Sequence, residues 1–167
     1  MSELVAVLRK ELRCELDFHC LQKELLQKDE IDLALLSINT HHEKLRDFSD
    51  TAALIDAMDV VITVDTSIAH LAGALGKATW VMLAYVPDFR WLLEREDSPW
   101  YPSVKLFRQH ATADWTKVLS SIAQNLNQQF GQENLNVLIA PNTSLSLNLN
   151  LNLNLNDRGN DCIKKGW

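Results

Sequence analysis

Apolar residues recur at helical spacing at the start of the chain, where Leu4, Val7, Leu8 and Leu12 predict an amphipathic helix. Glu15 to Leu21 (ELDFHCL) predicts a short strand. From Asp29 to Ile38 the residues Ile31, Leu35 and Ile38 share one helical face, and Asp50 to Met58 predicts a further helix with Asp50 or Ser49 as its N-cap. Val60 to Val64 (VVITV) is β-branched and uncharged, the pattern of a strand covered on both faces. Ser67 to Leu75 then predicts a helix closed by Gly76, and Thr79 to Leu83 (TWVML) a second buried strand. A long loop rich in aromatic and charged residues runs from Ala84 to Pro102. Val104 to Arg108 predicts the last strand and Trp115 to Gln129 a closing amphipathic helix.

Strands alternating with helices imply right-handed βαβ units. The expected fold is α/β, a Rossmann-like parallel sheet with helices on both faces. Residues 1–130 carry this alternation and form one expected unit. Residues 131–167 do not: from Leu145 to Asn156 leucine alternates with serine or asparagine. A strict period of two is a β-aggregation hazard when exposed, and the segment is expected to be a disordered, low-complexity tail.

The 167 residues and 47% hydrophobic content suit one globular domain. The tail holds three acids and three bases, so the whole net charge of −6 falls in residues 1–130. That balance argues against a nucleic-acid or anionic-membrane surface. The longest mostly apolar run, Ala78 to Pro87, is about half of what a bilayer needs, and no transmembrane segment is expected. Charges interrupt the N-terminal apolar stretch early, unlike a secretory signal. Cys14, Cys20 and Cys162 are an odd set at no metal-like spacing, which fits free thiols in a reducing cytoplasm. His19, His41 and His42 lack any fixing geometry in the sequence and are taken as non-functional, and no metal is expected.

The informative segment is Val60 to Leu83, VVITVDTSIAHLAGALGKATWVML. A buried strand ends in Asp65-Thr66-Ser67 and a helix begins at once. Ligands of open α/β sheets bind outside the carboxyl ends of strands. A helix N-terminus there offers N–H groups and partial positive charge to a phosphate or diphosphate. The Thr66 and Ser67 hydroxyls add donors, and His70, four residues after Thr66, reaches the same face. Asp65 would be repelled by phosphate and suits sugar hydroxyls or the turn's own N–H groups. Spacing alone equally allows Thr66 or Ser67 to cap the helix and His70 to sit in the core. The segment contains neither a GxGxxG nor a Walker loop.

D-T-S-x-x-H-L-A-x-A-L-G-K resembles the donor-binding motif of glycosyltransferase family 9, the heptosyltransferases and their relatives. The match is nearer to the glycosyltransferase domain that follows tetratricopeptide repeats in bacterial proteins. Its similar segments are LQKE (Leu21 to Glu24), DFSDTAALI (Asp47 to Ile55), VDTSIAHLAGALGK (Val64 to Lys77) and DSPWYPSVKLFRQ (Asp97 to Gln109). The resemblance covers residues 15–130 and implies the C-terminal, donor-binding half of a GT-B glycosyltransferase, incomplete at its N-terminus. It implies an ADP-heptose-like nucleotide-diphospho-sugar donor and no metal or other cofactor. It implies donor-binding roles for Asp65, Thr66, Ser67 and His70, with Gln22 and Lys23 facing the same cleft. Lys23 reads as readily as a solvated surface lysine. In the long loop Arg90 is a candidate phosphate ligand, whereas Trp91 and Trp100 read better as anchors of the loop. Ser67 departs from the usual Gly of D-T-G, and Ala78 stands where such sequences often carry Pro. The acceptor half, a glycan or protein acceptor, the repeats and the catalytic base have no counterpart in this chain, so the catalytic residues are unknown. The rival expectation is a non-catalytic, truncated module that binds a nucleotide or a protein.

Overall fold

The computed structural model describes residues 5–6, 8, 16–22, 27–112, 114–130 and 135–140. They form an α/β fold: β1 (Leu16–Cys20), α1 (Gln27–Leu35), β2 (Ile38–Thr40), α2 (Phe48–Asp56), β3 (Val60–Val64), α3 (Ser67–Ala74), β4 (Thr79–Leu83), β5 (Val104–Arg108), α4 (Thr116–Phe130) and β6 (Leu135–Ala140). Residues 5, 6 and 8 are also helical, at the opening helix the leucine spacing predicts. The six strands make one sheet in the order β2-β1-β6-β3-β4-β5, with every pair parallel.

β3 is buried at all five positions, as its uncharged β-branched sequence dictates. Alternate residues serve opposite faces. Val60 and Ile62 join Trp80, Phe107, Val137, Ile139 and the α4 residues Val118, Leu119, Ile122, Ala123 and Leu126 in one core. Val61 packs on the other face with Ile55 of α2 and Ala72 of α3. Helices therefore cover both faces, as expected of a doubly wound sheet.

The predicted elements differ from the observed ones at three places. Ile38 ends no helix: α1 stops at Leu35, Ser37 turns with φ +47°, and Ile38 opens the strand β2 beside Phe18. α2 begins at Phe48 rather than Asp50, because Asp47 caps it by accepting from the N–H groups of Ser49 (2.8 Å) and Asp50 (3.2 Å). Asp50 instead takes the Arg46 side chain through Nε (2.9 Å) and Nη2 (3.0 Å), which holds its carboxyl down to about 2.

The third difference is the largest. The folded unit, expected to end at residue 130, takes in Leu135–Ala140 as a strand between β1 and β3. Residues 141–167, which include the Leu/Asn alternation, lie outside the described residues.

Candidate functional site

The sheet winds outward in both directions from β6, so its topological switch point lies where β1, β6 and β3 end. Asp65 and Thr66 form the turn leaving β3, and α3 starts at Ser67. The buried Thr63 hydroxyl donates to the Val64 carbonyl at 3.0 Å. Its single proton spent there, Thr63 Oγ1 accepts from the Thr66 hydroxyl, 3.3 Å away. Thr66 is the N-cap residue by backbone (φ −142°, ψ 172°), but its side chain makes no capping bond. It is turned inward and caps no N–H group; of the first turn, Ala69 N–H donates to Thr66 C=O at 3.0 Å, and those of Ser67 and Ile68 are left to other acceptors. Ser67 is exposed at the first helical position.

α3 ends as its glycine requires. Gly76 has φ +71°, Lys77 N–H donates to Ala72 C=O and Gly76 N–H to Gly73 C=O, the paired bonds of a Schellman termination.

His70 lies one turn into α3, half-buried between two aromatic rings. It stacks on Trp91 with centroids 5.1 Å apart and planes 17° apart, and meets the Tyr101 ring edge-on at 5.8 Å. Nδ1 is 3.2 Å from the Tyr101 hydroxyl. With Tyr101 O–H donating to Nδ1, the neutral ring carries its proton on Nε2 and can donate to an anion. Spacing alone allows a core histidine or a ligand-facing one. The ring is wedged like the first, and among the described residues no contact engages Nε2, as the second requires.

Gly73 lets Tyr101 reach this position, since a Cβ on Gly73 would lie 2.6 Å from Tyr101 Cγ. In an ordinary helix Gly→Ala stabilises by about 0.5–1 kcal/mol. Here the clash reverses the sign. Gly73→Ala is expected to lower stability by about 1–2 kcal/mol, read as a lower urea midpoint with an unchanged slope. A gain in midpoint would show that Tyr101 moves aside freely.

The loop after β4 closes one side. Trp91 is fully buried, as an anchor should be, and packs with Val81, Leu83, Val104 and Leu106. Trp100 donates from Nε1 to Arg90 C=O at 2.8 Å, yet 62% of it stays exposed. Arg90, the expected phosphate ligand, is bound to Asp88 Oδ1 through Nε at 2.9 Å. No described contact joins it to the Asp65 turn. Arg108, which sequence reasoning passed over, secures the loop instead: Nη2 donates to Trp91 C=O (2.6 Å) and Nε to Arg95 C=O (2.8 Å). Burial and the nearby Arg95 depress its pKa. The available signal was an arginine ending an otherwise buried strand.

Gln22 follows β1 at the same end of the sheet, and its N–H bonds the Cys20 thiol, whose pKa burial raises. Lys23 lies outside the described residues. The structure thus gathers Asp65, Thr66, Ser67, His70 and Gln22 at one sheet end and ties Arg90 to its own loop.

Two further groups of side chains lie to either side of the Asp65 turn, one at β1 and β2 and one at β5 and α4. His19 Nδ1 and His41 Nε2 are 2.9 Å apart with their rings stacked, and His42 faces Glu30 at 3.6 Å. Burial first, then the charges of His19 and Lys44, hold the His41 pKa below its ordinary 6.5. The folded state therefore resists protonating this ring. Its contribution is whole above pH 6.5 and is lost as pH falls through the lowered folded value. Urea midpoints taken from about pH 7.5 down to about 5 should fall for the wild type and fall less for His41→Gln. Parallel profiles would refute that assignment. Separately, a cavity of about 340 Å3 lies between Glu94–Glu96, β5 and α4, with Lys105, Arg108, His110 and Lys117 in its lining. Among the described residues no group of three or more His, Cys, Asp or Glu is arranged to hold a metal ion, and no helix is long and apolar enough to cross a membrane.

No family model matches the chain, and no solved structure matches it. Protein FlbA of Caulobacter vibrioides (strain ATCC 19089 / CIP 103742 / CB 15) is 34% identical over 80 residues. That stretch is 48% of this chain and 13% of FlbA, so the similarity spans a small part of that protein's length.

Proposed function

We propose that this chain is the donor-binding half of a GT-B, family 9-like glycosyltransferase that uses a nucleotide-diphospho-sugar without a metal. The observation that carries the reading is the uncapped N-terminus of α3 at the switch point of the sheet. A diphosphate there would accept from the N–H groups of Ser67 and Ile68 and meet the partial positive charge of the helix. Ser67 and His70 Nε2 would donate from the same side. Asp65 would hold sugar hydroxyls, away from the phosphates. Transfer would be assisted by donors already fixed in place where charge develops on the leaving diphosphate. The acceptor and the catalytic base would come from a separate domain, so the chain alone would bind donor without turning it over.

A second reading, a non-catalytic nucleotide- or protein-binding module, draws on the engagement of His70 with Trp91 and Tyr101. Thermal unfolding of the full chain with ADP, UDP, GDP or CDP tests the first. A nucleotide at about a hundred times its Kd adds roughly 2.7 kcal/mol, which raises the midpoint by several degrees. We expect one nucleotide to do so, and His70→Ala to reduce the shift. A sharp transition that none of the four moves would end the donor-site reading.

A further inference from the structure

The central strand of this sheet is delivered last and from the far edge. β1 pairs with β2 and β6, and β3 pairs with β4 and β6. β6 is therefore the one strand joining the β2-β1 pair to the β3-β4-β5 triple. It is matched on both sides: Leu16 to Cys20 lie opposite Leu135 to Ile139, and Val60 to Thr63 lie opposite Val137 to Ala140. Its buried residues Val137 and Ile139 enter the core that holds Phe18, Cys20, Val60 and Ile62. To reach that place the chain leaves β5 at the opposite edge and passes β4 and β3, a lateral span of about 14 Å at ordinary strand spacing.

We propose that β6 is an exchangeable strand, and that two copies of this chain can trade it, each completing the other's sheet. Pairings of high sequence separation form late in folding. Until β6 arrives, β1 and β3 face each other across an open slot with unpaired backbone edges. β3, buried at all five positions once folded, makes that slot strongly apolar. A second copy's β6 carries the same sequence and offers the same register, so symmetry supplies a matched occupant. In the sequence only residues 131–134 separate α4 from β6. The arrangement stands whatever the site at the sheet end binds.

The register provides the test. Cys20 is the partner of Ile139, and both lie in the same core cluster. Neighbouring strands are spaced within disulfide reach. The full chain with Ile139→Cys, and with Cys14 and Cys162 changed to Ser, would be made with and without a size tag. The two forms would be unfolded together, refolded in a redox buffer at low and high protein concentration, and run on a non-reducing gel. Dilute refolding should give intramolecular links. Concentrated refolding should give dimers that include tagged–untagged pairs, their ratio to monomer rising roughly tenfold for a tenfold rise in monomer concentration. Reductant should dissolve them, and adding Cys20→Ser should remove them. Intramolecular links at every concentration would overturn exchange. A folded product without any Cys20 link would overturn the placement of β6. Light scattering on wild-type protein, refolded concentrated and then diluted, guards against a misfolded variant. A dimer that persists on dilution supports the proposal, and a monomer throughout overturns it.

Discussion

A chain ending at residue 132 is expected to show no cooperative unfolding transition, whereas one ending at residue 144 keeps it. The first loses β6, and with it both ladders that join the two parts of the sheet. Val137 and Ile139, each essentially inaccessible to water, also leave the core. Burial of side chains this size contributes about 1.5–3 kcal/mol each, and every ladder hydrogen bond about 1 kcal/mol net. The bare edges of β1 and β3 add a further cost. Together these losses are comparable with the roughly 5–15 kcal/mol that holds a typical domain folded. The second truncation removes the Leu/Asn alternation but retains every described element. Urea unfolding followed by tryptophan fluorescence and far-UV circular dichroism would separate the two. A sharp transition in the shorter chain would show that the sheet closes without β6.

Much of this fold was legible because its buried strands announce themselves. VVITV and TWVML have one plausible environment, and Val60–Val64 and Thr79–Leu83 are strands at those limits. Gly76 marked the end of α3 because the turn there needs a positive φ. The failures have physical causes too. Ile38–Thr40 is only three residues long, too short for period to register, and its isoleucine fell in step with the preceding helix. Leu135–Ala140 (LNVLIA) has the composition of a buried strand, but a repetitive Leu/Asn stretch soon follows it in the sequence. Local pattern carries no information about which gap in a sheet a late strand will fill. At the candidate site, strand end and helix start placed Asp65, Thr66, Ser67 and His70 together. Which way Thr66 turns, or that Arg90 prefers Asp88, depends on contacts that spacing does not encode.

Trp91→Ala should be the most damaging single truncation in the loop, and its comparison with Trp91→Phe says what the residue is for. Trp91 is fully buried and forms the surface on which the His70 ring lies. Removing so large a buried side chain costs about 3–5 kcal/mol, cavity included, which lowers Tm on the order of 10 °C or more. It also frees one face of His70 and removes the side chain whose backbone carbonyl Arg108 holds in place. Phenylalanine keeps an aromatic face for the stack and eliminates an indole N–H that is buried without a hydrogen-bond partner among the described residues. An unsatisfied buried donor itself costs about 1–3 kcal/mol, so relief of that penalty offsets part of the lost volume. Trp91→Phe is therefore expected to fall well short of the alanine loss. Chemical shifts of the His70 ring should stay near wild type in the phenylalanine variant and move in the alanine variant. Whatever nucleotide response the wild type shows should follow the same order. Equal losses for the two substitutions would mean that Trp91 only fills volume, and the orientation of His70 would then rest on Tyr101 alone.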